Sequence, residues 1–175
     1  MQNFRYALPR IVVHWLAAAL ILFLLVAGSQ VLAEMPNTSE KIGSLRIHMI
    51  LGGLAGLLVL IRLVLGRVYP APAPAAGDTM DKVGHVGHVL LNLTILFMAM
   101  SGMLLVVQSG ALDAAFFGGV LPEDFKAFLP RKVHGLLSRV AMGLIALHVL
   151  AAAYRRPHRQ PGTGAAHHRR VSRDR

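Results

Sequence analysis

The sequence predicts an all-α integral membrane protein built as a bundle of four spanning helices. Three observations lead there. The 175 residues are 55% hydrophobic and only 15% charged, whereas a soluble domain carries roughly 25% charged residues. Four long apolar stretches approach or exceed the about 20 residues that a spanning helix needs. The charge is lopsided, with 18 Lys+Arg against 8 Asp+Glu for a net +10, and at this hydrophobicity a basic balance points to a bilayer before nucleic acid. The chain has no cysteine, which excludes disulfide scaffolds, thiolate metal sites, iron–sulfur clusters and cysteine nucleophiles.

The first stretch, Ile11 to Ala33, contains no Asp, Glu, Lys or Arg. Arg5 and Arg10 before it and Val31-Leu32-Ala33 at its end resemble a cleavable signal peptide. Its apolar part is longer than the ~7–15 residues of a signal core and contains His14-Trp15, so an anchored span is expected. Ile47 to Gly66 is the second stretch, interrupted only by Arg62. Val83 to Leu112 carries no formal charge, which allows one tilted span with a short extension. Val133 to Tyr154 is the fourth, interrupted only by Arg139.

The connections differ in kind. Tyr69-Pro70-Ala71-Pro72-Ala73-Pro74 predicts an extended, polyproline-like link. Asp113 to Lys132 predicts an outer loop whose Phe116, Phe117, Phe125 and Phe128 lie in the membrane interface. Residues 1–154 form one four-span membrane domain, and 155–175 form a basic, disordered cytoplasmic tail. With both termini cytoplasmic, most Lys and Arg fall inside, as the positive-inside rule requires. His158, His167 and His168 belong to the tail and are assigned no role.

Ionisable residues within spans are rare and usually functional. Six histidines lie in or at the edges of the four spans: His14, His48, His85, His88, His134 and His148. Depth places His48 and His134 at the outer level, and His14, His85, His88 and His148 at the inner one. His134 and His148 are 14 residues apart, or about 21 Å of helix, and point to nearly the same face. The same interval links His14 to Gly28, His88 to Gly102 and His48 to Arg62, and Gly52 and Gly56 share the His48 face. These glycines either leave room for a flat group or permit close helix packing. With the paired histidines they suggest two haems stacked across the membrane. An iron with both axial positions filled serves electron transfer rather than oxygen binding. Depth leaves His48 and His134 as the outer pair, while His148 can pair with His14, His85 or His88.

Val13-His14-Trp15-Leu16, His48 with Gly52, Ile61-Arg62-Leu63 leading to Tyr69-Pro70, Gly84-His85-Val86-Gly87-His88, Val133-His134 and Leu147-His148 together resemble the bacterial cytochrome b561 family, including its superoxide oxidase members. The resemblance covers about residues 8 to 154. It implies an inner-membrane cytochrome with two b-type haems that passes electrons to ubiquinone. His48 and His134 would hold the outer haem and His14 and His148 the inner one, leaving His88 for a quinone headgroup. Arg62 would bond a haem propionate or a quinone oxygen. The chain departs from the family after the last span, where a polar tail replaces an ordered aromatic and Leu/Met-rich segment.

Two electron donors are expected for such a protein. Superoxide would be drawn to the outer haem by Arg46, Arg131 and Lys132, which lie just before His48 and His134; the same cations, with Arg139, would also suit haem propionates. Alternatively the chain is an electron-carrier subunit for a dehydrogenase or another redox partner. A histidine-lined metal transporter would carry carboxylates in its spans, and none is present. Nucleic acid is not expected as a partner, because no aromatic residue interleaves the basic tail.

Overall fold

The computed structural model describes residues 7–70 and 79–155. The polyproline-like link beyond Pro70 and the tail from Arg156 lie outside the described residues. The described residues form five α-helices: α1 (Leu8–Val26), α2 (Ser39–Val68), α3 (Thr79–Gln108), α4 (Ala111–Phe116) and α5 (Leu129–Arg155). Four of these, with α1 continued to Leu32, are long and apolar enough to cross a membrane. Among the described residues there is no strand. The chain is therefore a helical membrane bundle, as composition predicts.

Local chemistry starts and stops each helix. Pro9 opens α1 in its first turn, where its missing N–H costs nothing. Beyond Val26 the helix widens into a π-turn, Ala27–Leu32, and the Ser29 hydroxyl donates back to the Leu25 carbonyl at 2.6 Å. Such π-turns often mark functional sites. Glu40 lies in the first turn of α2 and Arg67 in its last, both favourable to the helix dipole. Pro70 ends that helix by forcing the preceding Tyr69 out of helical geometry. The third apolar stretch splits at Gly110, whose φ of 70° few other residues adopt. The chain there turns from α3 into the short α4, which buries Ala111, Ala114 and Ala115.

Packing is uneven around the bundle. α1 packs on α2, α2 on α3 and α3 on α5, and α5 makes no comparable contact with α1 or α2 among the described residues. The core sits at mid-depth, built from Ala17, Ile21, Leu24 and Leu25 of α1, Ala55 and Val59 of α2, Ile95 of α3 and Ala141 of α5. Ala141 lies midway between His134 and His148 in sequence, so this core separates the two histidine levels. Large side chains such as Phe23, Leu57, Phe97 and Leu150 are exposed around the bundle, as a lipid-facing surface requires.

The outer loop differs from the expectation in one respect. Phe116 and Phe117 are exposed, but Phe125 is buried, with the Lys41 ammonium 5.6 Å from its ring. Asn37 explains this closure. Its side-chain amide donates to the Pro122 and Glu123 carbonyls at 3.1 and 3.0 Å, tying the α1–α2 connection to the loop before α5.

Candidate cofactor site

The open seam between α5 and the α1–α2 pair is where the histidines face one another. At the outer level the ring centroids of His48 on α2 and His134 on α5 are 6.2 Å apart. At the inner level His14 on α1 and His148 on α5 are 6.5 Å apart. Metal–imidazole bonds run at about 2 Å, so two ligands on opposite sides of one metal set their centroids about 6 Å apart. Both pairs meet that spacing. His88 is only 5.0 Å from His148, too close for a metal between them on that axis.

The outer pair borders a cavity of about 1190 Å³, larger than the ~300–1,000 Å³ typical of small-molecule sites. Its walls include Gly28, His48, Gly52, Gly102, His134 and Ser138. The His134 Nδ1 lies 2.9 Å from the Met98 carbonyl and 3.2 Å from the Ser101 hydroxyl, which itself donates to Met98. A carbonyl only accepts, so Nδ1 carries the proton and the Nε2 lone pair is left for a metal. The His48 Nδ1 is buried without a partner among the described residues. Such orphaned atoms are uncommon in folded proteins and call for an explanation. A planar metal-bearing group between these rings fits the cavity and the nitrogen chemistry.

The glycines take both roles considered from sequence and a third, seating the imidazoles. A Cβ on Gly28 would meet His48 Cε1 at 3.1 Å, and one on Gly102 would meet His134 Cε1 at 3.2 Å. These two seat the imidazoles of the neighbouring helices. Gly56 instead brings α2 against Ala99 of α3, where a Cβ would lie 3.2 Å from the alanine's. Gly52 has nothing within 4 Å of its would-be Cβ and opens onto the cavity.

At the inner level Arg62 lies within electrostatic range of His14, His88 and His148. His85 and His88 are exposed. Trp15 stacks edge-on against His14 at 5.5 Å, and the Arg10 guanidinium donates to the Tyr69 carbonyl, joining the inner ends of α1 and α2.

The three outer cations singled out from sequence separate. Arg131 lines the cavity and lies within electrostatic range of both outer histidines. Arg46 donates its Nε–H to the Ala115 carbonyl at 2.7 Å and covers the Phe116 ring, pinning α4 to α2. Lys132 is exposed and does not border the cavity. Sequence reasoning missed Lys41 and Glu123, both of which border the cavity. Their signal is only a sparse charge near the outer end of a span.

A four-helix membrane bundle that sets imidazoles of different helices opposite one another at two levels has the form of a membrane cytochrome. The particular family follows from comparison: the family model for prokaryotic cytochrome b561 matches residues 5–165. The chain belongs to that family, whose members are bacterial electron-transfer membrane proteins carrying b-type haem. No curated protein and no solved structure matches it. Among the described residues no group of three or more His, Cys, Asp or Glu forms a site for a bare metal ion. Haem asks less of the protein, since the porphyrin leaves only the axial positions to side chains.

Proposed function

We propose that the chain is a dihaem cytochrome b that carries electrons across the bacterial inner membrane to quinone, with both termini cytoplasmic. The observation that carries this reading is the presence of two imidazole pairs, at 6.2 and 6.5 Å, on either side of the mid-depth core. His48 and His134 hold the outer haem, and His14 and His148 hold the inner one. Bound there, haem supplies one-electron transfer.

The chain's residues do the rest. The Met98 carbonyl fixes the His134 ring and its tautomer. Gly28 and Gly102 let the outer imidazoles sit against their neighbouring helices. His88, beside His148 and exposed, donates a hydrogen bond to a quinone oxygen and relays the protons that quinone reduction takes up. Arg62 holds negative charge at the same level, on a haem propionate or on the quinone oxygen.

Superoxide is the favoured donor, because Arg131 places a cation in the cavity wall beside both outer histidines. Arg131 is the chief steering cation in this reading, because Arg46 and Lys132 do not border the cavity. A second reading, delivery by a redox protein, draws on a different observation. Phe117 and Val120 are 77% and 90% exposed at the outer surface, and exposed aromatic and aliphatic residues suit protein contact. Protein in ubiquinone-loaded liposomes, exposed to a superoxide generator, tests the choice. Haem reduction followed by quinol formation is expected. Haems that stay oxidised under superoxide yet accept electrons from a reducing protein would establish the carrier reading instead.

A further inference from the structure

Lys41 is only 8% exposed, an unusual state for a lysine unless its charge is paired. It forms no ion pair among the described residues. Two of its three N–H donors are used, to the Met35 carbonyl and the Asn37 side-chain oxygen, both at 2.9 Å. Both partners are neutral, so neither cancels the charge. Arg131, which acts on it electrostatically, is another cation. Lys41 and Arg131 both border the cavity that holds His48 and His134. Glu123 and Asp124 also border the cavity, but both are exposed and neither forms an ion pair with Lys41; the Asp124 carboxylate accepts from the Lys126 backbone N–H.

We propose that Lys41 binds a carboxylate of the haem held between His48 and His134. The inference rests on the dihaem reading above. A buried ammonium with no acid paired to it among the described residues calls for an anion, and a haem brings two propionates. Asn37 is the positioning residue for this pair. It holds the ammonium by its oxygen while its amide clamps the loop before α5, so the mouth of the cavity and the carboxylate partner are set by one side chain. Arg46 and Lys132 do not border the cavity and do not share this role.

A cation beside a haem favours the reduced form, which carries one negative charge more, so its loss lowers the reduction potential of that haem alone. Lys41→Gln keeps a donor for Asn37 and Met35 but removes the charge; Lys41→Arg restores it. Redox titration of the purified two-haem protein should show the outer haem shifted about tenfold toward the oxidised form in Lys41→Gln, which for one electron is about 59 mV. The inner haem should not move, and Lys41→Arg should return the outer haem to its wild-type value. Loss of the outer haem alone from Lys41→Gln, with Lys41→Arg intact, supports the same contact. Unmoved potentials with both haems retained would overturn it. So would loss of both haems from Lys41→Gln, which would place the lysine's role in the fold. A shift that vanishes when chloride is raised would show a free anion there rather than a propionate. An outer haem missing from the wild-type protein would fail the dihaem reading instead, and the two failures are thereby distinct.

Discussion

The two ends of this bundle treat their histidines differently. The outer pair borders a cavity of about 1190 Å³, and a neighbouring carbonyl fixes the His134 ring. Asn37 stitches a loop across the outer end. The inner end crowds three imidazoles and one guanidinium together, with His85 and His88 exposed. A large cleft with a hydrogen-bonded ligand ring suits a resident group. An exposed one, with one more imidazole than a haem needs, suits a resident group together with a partner that arrives and leaves through the lipid. Two local choices mark the contrast: Gly110 turns the chain into α4 near the outer end, whereas Pro70 ends α2 at the inner end.

The largest expected effects break one end and spare the other. His48→Ala should lower the haem content from two per chain to one and leave the inner haem's spectrum intact. His148→Ala should do the reverse. If either variant loses both haems while remaining folded, the two levels are one site. His88→Ala should keep both haems and slow quinol formation about 10²-fold, the scale of a lost proton relay. Loss of a haem from His88→Ala would make it a ligand and displace His14 or His148.

Smaller effects sharpen the outer end. Arg131→Gln should slow haem reduction by superoxide several-fold and flatten its dependence on ionic strength. Arg46→Gln and Lys132→Gln should change the rate less, because neither side chain borders the cavity. Equal effects from all three would restore a diffuse positive surface as the steering device. Gly28→Ala forces the His48 ring to move by a few tenths of an ångström and should cost about 1–3 kcal/mol, read as a lowered melting temperature with a shifted outer-haem band. Gly43→Ala meets nothing within 4 Å and should be neutral or stabilise α2 by up to about 1 kcal/mol.

Much of this was legible in the sequence because a bilayer makes simple demands. The four spans follow from apolar runs with at most one charge each, and the levels of the histidines from a helical rise of about 1.5 Å per residue. The 14-residue register places Gly28 beside His48, Gly102 beside His134 and Arg62 beside the inner histidines. What was not legible depends on contacts between segments distant in the chain. Nothing local indicates that α5 stands off α1 and α2, since the gap reflects what all four helices leave unfilled. Lys41 reads as an ordinary interfacial lysine until Asn37, Phe125 and the loop before α5 close over it. The π-turn at Ala27–Leu32 has no sequence signature beyond Gly28-Ser29. Gly56 and Gly52 share one face and one residue type, yet one packs on Ala99 and the other opens to the cavity. Only the neighbouring helix decides which.

The central claim is that this short chain holds two haems, one at each histidine level. The most direct measurement is the haem-to-chain ratio of the purified protein by alkaline pyridine spectroscopy, combined with a redox titration of its b-type bands. Two haems per chain are expected, titrating as two one-electron components of which His48→Ala and His148→Ala each remove a different one. A ratio of one, or a single component lost equally in both variants, would contradict it.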